Sequence, residues 1–165
     1  MKKFLLPCVV CLLVLFFIFR PVCHLTTDDE IIQFIHQYEA LSPSVFDEVR
    51  DAPNANYHHY DPSAPFSVRK IFFNSTITWI AYDQQDETYT FASSEFDDHV
   101  ETDEYLAYAP DADILEFGKE QRIYESEWHL EQLDHSTIKW TNGRRYMLVK
   151  MLLPDWYHIY CYLPT

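Results

Sequence analysis

The stretch STIKWTNGRRYMLVKMLLPDWYHIYCYL, residues 136–163, limits the fold more than any other part of this chain. Asn142-Gly143 supplies the positive φ angles that a tight hairpin turn needs. Residues 146–153 are apolar on both faces, the pattern of a strand in the middle of a sheet. Pro154-Asp155 then turns the chain into WYHIYCYL, where Tyr157, Ile159, Cys161 and Leu163 share one face and close the sheet. Runs joined by such short turns pair as antiparallel neighbours, so the C-terminal part is an antiparallel meander.

The same period of two begins at Ser67. Ile71, Phe73, Ile77, Trp79 and Ala81 alternate with Lys70, Asn74, Thr76 and Thr78, which predicts a strand. Asp83 to Asp86 makes a turn, TYTFA returns, and YLAYA follows the acidic stretch SEFDDHVETDE. ILEFGKEQRIYESEW fits two short strands with a turn near Gly118-Lys119. Before all of this the period is helical. Ile31, Phe34, Ile35, Tyr38 and Leu41 form one apolar stripe. Thr27 and Glu30 make a capping box at its start, and Ser42-Pro43 stops it. A short helical turn follows from Ser44, and Asp51 to Pro65 reads as a loop. The prediction is an α+β fold: an amphipathic helix packed on an antiparallel meander of about five to seven strands. No internal repeat and no second domain is visible.

The N-terminus adds a different element. The run from Phe4 to Phe19 carries no charge and is bracketed by Lys2, Lys3 and Arg20. It spans roughly 24 Å as a helix against a hydrocarbon core of roughly 30 Å, and its flanking cations can reach the interfaces. No small-x-small cleavage site follows it, and Val22 precedes Cys23 where a lipobox wants a small residue. An uncleaved signal anchor within 1–23 therefore ranks first, a cleaved signal second and a lipoprotein third. The positive-inside rule keeps the N-terminus in the cytoplasm and places one domain, 24–165, outside the membrane.

All 26 acidic residues and nine of the twelve Lys and Arg lie within 24–165, a formal charge of −17 there. That sign excludes nucleic acid as a natural ligand and points to a basic partner protein. It also argues against general adsorption to anionic lipid. With 48% hydrophobic residues, 17% aromatic residues and only two glycines, the composition is that of a folded domain. Cys161 alternates with core residues and reads as a lone buried thiol rather than a partner for Cys23.

Chemistry-bearing motifs are sparse. No G-x-S-x-G elbow or H-E-x-x-H pair occurs, and two glycines cannot build a phosphate loop. No cofactor is implied. The least weak metal candidate is the loop YHHYD, with His58, His59 and Asp61 as ligands. Two surface features remain as binding candidates. One is an acidic patch of Glu95, Asp97, Asp98, Glu101, Asp103 and Glu104, which lacks the alternation and glycine of a calcium loop. The other is an aromatic set, Tyr57, Tyr60, Trp140 and Tyr160, placed in loops or on polar faces. The expected function is a non-catalytic, membrane-anchored extracytoplasmic domain that binds a protein, in an accessory or immunity-like role. The alternatives are a small metal-dependent hydrolase and a structural subunit of an envelope complex.

Overall fold

The computed structural model describes residues 22–41, 44–52, 55–95, 102–120 and 128–164. The apolar run 4–19 lies outside these, and among the described residues no helix is long and apolar enough to cross a membrane. From Val22 onward the described residues contain α1 (Asp28–Leu41), α2 (Ser44–Arg50), β1 (Asn56–His58) and α3 (Phe66–Asn74). There follow β2 (Ile77–Asp83), β3 (Thr88–Ser93), β4 (Thr102–Tyr108) and α4 (Ile114–Glu120). The chain ends with β5 (His129–Gln132), β6 (Thr137–Asn142), β7 (Arg145–Leu153) and β8 (Trp156–Tyr162).

Among the described residues eight strands join one antiparallel sheet in the order β1-β2-β3-β4-β8-β7-β6-β5. The α+β class is as expected, but the sheet is larger than five to seven strands and is not one meander. Two four-stranded meanders meet where β4 pairs with β8 over seven residue pairs. The strands added at the two edges, β1 and β5, are short and mostly exposed, so they lack the alternation by which strands are recognised.

Helices cover opposite faces of the two halves. On one face Ile31, Phe34, Ile35 and Tyr38 of α1, with Val49 of α2 and Val68 and Ile71 of α3, pack on Ile80, Phe91 and Leu106. On the other face Phe117 of α4 packs on Ile138, Met147, Val149, Tyr157 and Ile159. The pleat makes this possible. Trp156 of β8 faces the first core while Tyr157, Ile159 and Cys161 face the second.

The capping box at α1 forms in both directions: Glu30 N–H donates to Thr27 Oγ1 at 3.3 Å, and Thr27 N–H to Glu30 Oε2 at 3.1 Å. The β6–β7 turn differs slightly from expectation. Asn142 pairs with Arg145, so Gly143-Arg144 is the two-residue loop, with Gly143 alone at positive φ. Asp155 takes the same role in the next turn at φ 65°.

Three local expectations are corrected. Residues 66–74 form α3 and not a strand, because Val68 and Ile71 face the core three residues apart. In β2 the register slips between Ile77 and Trp79, so Ile77 and Ile80 are buried in place of Ile77, Trp79 and Ala81. Residues 114–120 form α4 rather than a strand, held at its start by the Asp113 carboxylate accepting from Leu115 N–H at 2.8 Å.

Candidate functional site

Residues directly opposite each other in a sheet share a face, so the register lays out rows of side chains. One row runs through seven strands: Tyr57, Ile80, Phe91, Leu106, His158, Lys150 and Thr137. From Tyr57 to Leu106 it is buried under the helices, and at His158 and Lys150 it becomes half-buried. There the N-terminus of α1 ends the cover with a polar network. His158 Nε2 lies 2.7 Å from Glu104 Oε1, and its Nδ1 lies 3.9 Å from Asp28 Oδ1. Asp28 in turn ion-pairs with Lys150. The side chains of His158 and Glu104 are only 19% and 17% exposed, so their contact is shielded from solvent.

Beyond that network two further rows lie on the same face. One is Glu131, Lys139, Leu148, Tyr160 and Glu104, and the next is His129, Thr141, Tyr146, Tyr162 and Thr102. Tyr146, Leu148, Tyr160 and Tyr162 are half-buried and belong to neither core. Tyr146 stands between the other two tyrosines, its ring centroid 5.9 Å from Tyr160 and 5.5 Å from Tyr162. Lys139 Nζ sits 4.9 Å from the Tyr146 centroid, a cation–π contact that holds the ring in place. The result is a tyrosine platform bordered by Glu104 on one side and Lys139 and Glu131 on the other. Such a surface offers apolar area and hydroxyl groups at low entropic cost, the chemistry of a protein-binding face.

The structure brings together only part of the predicted acidic patch. Asp97, Asp98 and Glu101 lie outside the described residues. Asp103 and Glu104 are neighbours on β4 and so point to opposite faces. Asp103 stands across from Cys161, whose thiol burial, with the Asp103 charge beside it, pushes up to about 12. Glu95 faces inward as a clamp on the N-terminal segment. Its carboxylate accepts from Leu25 N–H at 2.7 Å and Thr76 Oγ1 at 2.8 Å, and meets His24 Nδ1 at 2.5 Å. Burial raises the Glu95 carboxyl, but the bonds from His24, Leu25 and Thr76 outweigh it and leave it lowered. The hydrogen bond to Glu95 raises the His24 imidazole in return.

The aromatic set divides the same way. Tyr60 is 85% exposed and Tyr160 lies on the platform, whereas Tyr57 and Trp140 are core residues at 7% and 4%. Tyr57 opposes Ile80 under the helices, and Trp140 lies against Gly118 of α4 in the second core. In the YHHYD loop, His58 is exposed beside Trp79 and the His59 ring centroid lies 3.5 Å from that of Tyr60, the two rings tilted by 45°. The Asp61 carboxylate accepts from Ser63 Oγ at 2.6 Å and Ser63 N–H at 2.8 Å, and both bonds lower its pKa. Among the described residues no group of three His, Cys, Asp or Glu is gathered as a metal site.

Sequence reasoning missed Tyr146, Tyr162, His158, Lys139, Lys150 and Asp28. Tyr162 and His158 were legible in principle, since they and Tyr160 alternate with the core positions of β8. No family model, curated protein or solved structure matches the chain. Its class is therefore defined by its own geometry: an α+β domain with a two-sided core and one tyrosine-lined sheet face.

Proposed function

We propose that this protein is a non-catalytic binding domain, tethered by residues 4–19 to the outer face of a membrane, that engages a basic protein partner in an accessory or immunity-like role. The observation that carries the reading is the Tyr146, Tyr160 and Tyr162 platform, a packed aromatic surface outside both cores with Glu104 at its margin. The strong negative charge of the chain supports a basic partner, drawn in by long-range attraction before the tyrosines make contact. The cations ahead of the apolar run support the outward orientation.

The test captures the tagged full-length chain from gently solubilised membranes at low salt and takes intact masses of everything eluted. One basic protein at near-equal stoichiometry, released at high salt, is the expected result. Tyr146→Ala with Tyr160→Ala should weaken that complex about 30-fold or more, corresponding to roughly 2 kcal/mol for a central aromatic anchor. His58→Ala with His59→Ala should leave it unchanged. Retention of the complex by the tyrosine variant, or its loss in the histidine variant, defeats the proposal.

A further inference from the structure

The outward face of α3 departs from the charge of the rest of the chain. Val68 and Ile71 turn into the core. Phe66, Arg69, Lys70 and Phe73 recur at the i, i+3, i+4, i+7 spacing of one helix side, and all four are exposed. Phe66 and Phe73 are 77% and 50% exposed. No acidic residue occurs between Asp61 and Asp83 in a chain that has 26 of them. Among the described residues neither Arg69 nor Lys70 has an ion pair.

The position of the helix supplies the second observation. Cys23 N–H donates to the Asn74 carbonyl at 2.9 Å, and Thr76 N–H donates to the Cys23 carbonyl at 3.2 Å. The chain therefore enters the fold at the C-terminal end of α3, where Phe73 stands. Phe19, the last residue of the uncharged run, is four residues before Cys23, a reach of at most about 14 Å along the chain. Whatever holds the apolar run keeps α3 close to it.

We propose that the Phe66, Arg69, Lys70 and Phe73 face of α3 rests on the phospholipid bilayer beside the point where the chain leaves it. The phenylalanine rings enter the headgroup–acyl boundary, and the two cations reach over them to lipid phosphates. Apolar rings flanked by basic residues are the composition of an interfacial helix, and an acidic protein partner would not account for its place beside the tether. The tether makes a weak surface contact sufficient, because the helix never leaves the neighbourhood of the bilayer. The acidic remainder of the domain is repelled by anionic headgroups, which turns the domain so that α3 faces them. The inference rests on the membrane-tethered reading, and its test separates the two.

The full chain is placed in nanodiscs of phosphatidylcholine and phosphatidylglycerol, with and without brominated acyl chains. Phe66→Trp adds one reporter to the native tryptophans, and Leu133→Trp places a control on the sheet side away from α3. Leu133 follows β5, six strands from β2, roughly 29 Å across the sheet. The emission added at position 66 should be blue-shifted and lost on brominated lipid, and the emission added at 133 retained. Arg69→Glu with Lys70→Glu should restore the Phe66→Trp signal. Equal quenching at both positions, or none at 66 in a chain that stays in carbonate-washed membranes, overturns the inference and leaves the tether standing. If washing releases the chain, the tether has failed, and the same variants are offered to vesicles of that composition. Selective quenching at 66 then still supports the inference, and its absence overturns it. A position 66 that responds only when an acidic protein is added also overturns it.

Discussion

Glu95 shows how a residue read as surface charge becomes part of the scaffold. It lies in an acidic stretch, yet its two oxygens satisfy Leu25 N–H, Thr76 and His24 at the entry of the chain. Leu25 is 1% exposed, so removing its acceptor leaves a poorly solvated donor. Glu95→Ala should therefore cost about 1–3 kcal/mol in urea unfolding, more than an exposed carboxylate is worth. The pH dependence follows from the two shifts. Glu95 is lowered, so its contribution is present above the ordinary carboxylate value of 4.5 and is lost as pH falls through its lowered value. His24 is raised, so its contribution is complete below the ordinary value of 6.5 and fades as pH rises through its raised value. The clamp is tightest in the mildly acidic range between them. Amide exchange at Cys23 and Thr76, corrected for intrinsic rates, should quicken from mildly acid to mildly alkaline pH. His24→Asn should abolish that change, and a pH response that survives the substitution would refute the clamp.

At the scale of elements, α1, β3, the β6–β7 hairpin and the burial of β8 were legible because their signals are local: a capping box, a turn glycine and a clean alternation. The elements that were misread are those whose faces depend on tertiary cover. In α3 the exposed Phe66 and Phe73 disguise the helical period, since apolar residues stand on both sides of it. In β2 a bulge near Thr78 moves Ile80 to the core face, which an unbroken alternation cannot express. The platform was half legible, because Tyr160 was evident as a polar-face aromatic but its neighbour Tyr146 is set by register across two strands. Helix α4 offers a direct test of why a glycine stands inside it. A Cβ at Gly118 would lie 2.6 Å from Ile138 Cδ1 and 2.9 Å from Trp140 Nε1. Alanine gains about 1 kcal/mol of helix propensity over glycine, while overpacking a core costs about 1–3 kcal/mol. Overpacking wins, and Gly118→Ala should lower stability by about 1 kcal/mol on that balance. Adding Ile138→Val removes the nearer atom and should recover part of the loss. If Gly118→Ala stabilises the protein, α4 does not press on β6 as described.

For the whole molecule the question is whether two cores on opposite faces make one cooperative unit. The first core draws on α1, α2, α3 and the β1–β4 half, and the second on α4 and the β5–β8 half. Their link is the β4–β8 pairing, and both strands contribute side chains to both cores: Leu106 and Trp156 to the first, Ala107 and Ile159 to the second. Opening either half would strip one side of these two strands and leave their other side packed on a sheet that had lost its neighbours. Strands shared in this way bind the halves into one transition, as small domains usually show. Leu106→Ala is the sharpest probe. Leu106 is fully buried, so truncation should cost about 2–5 kcal/mol. It belongs to the first core, yet a single unit must lose that stability everywhere. Native-state amide exchange should therefore report equal losses at Phe91, deep in the first core, and at Val149, deep in the second. A loss at Phe91 with Val149 unchanged would show two folding units side by side. The tyrosine platform would then belong to the β5–β8 unit with Glu104 on the other, so partner binding should stabilise the two halves unequally. In the single unit, a saturating partner raises protection at both amides by the same amount.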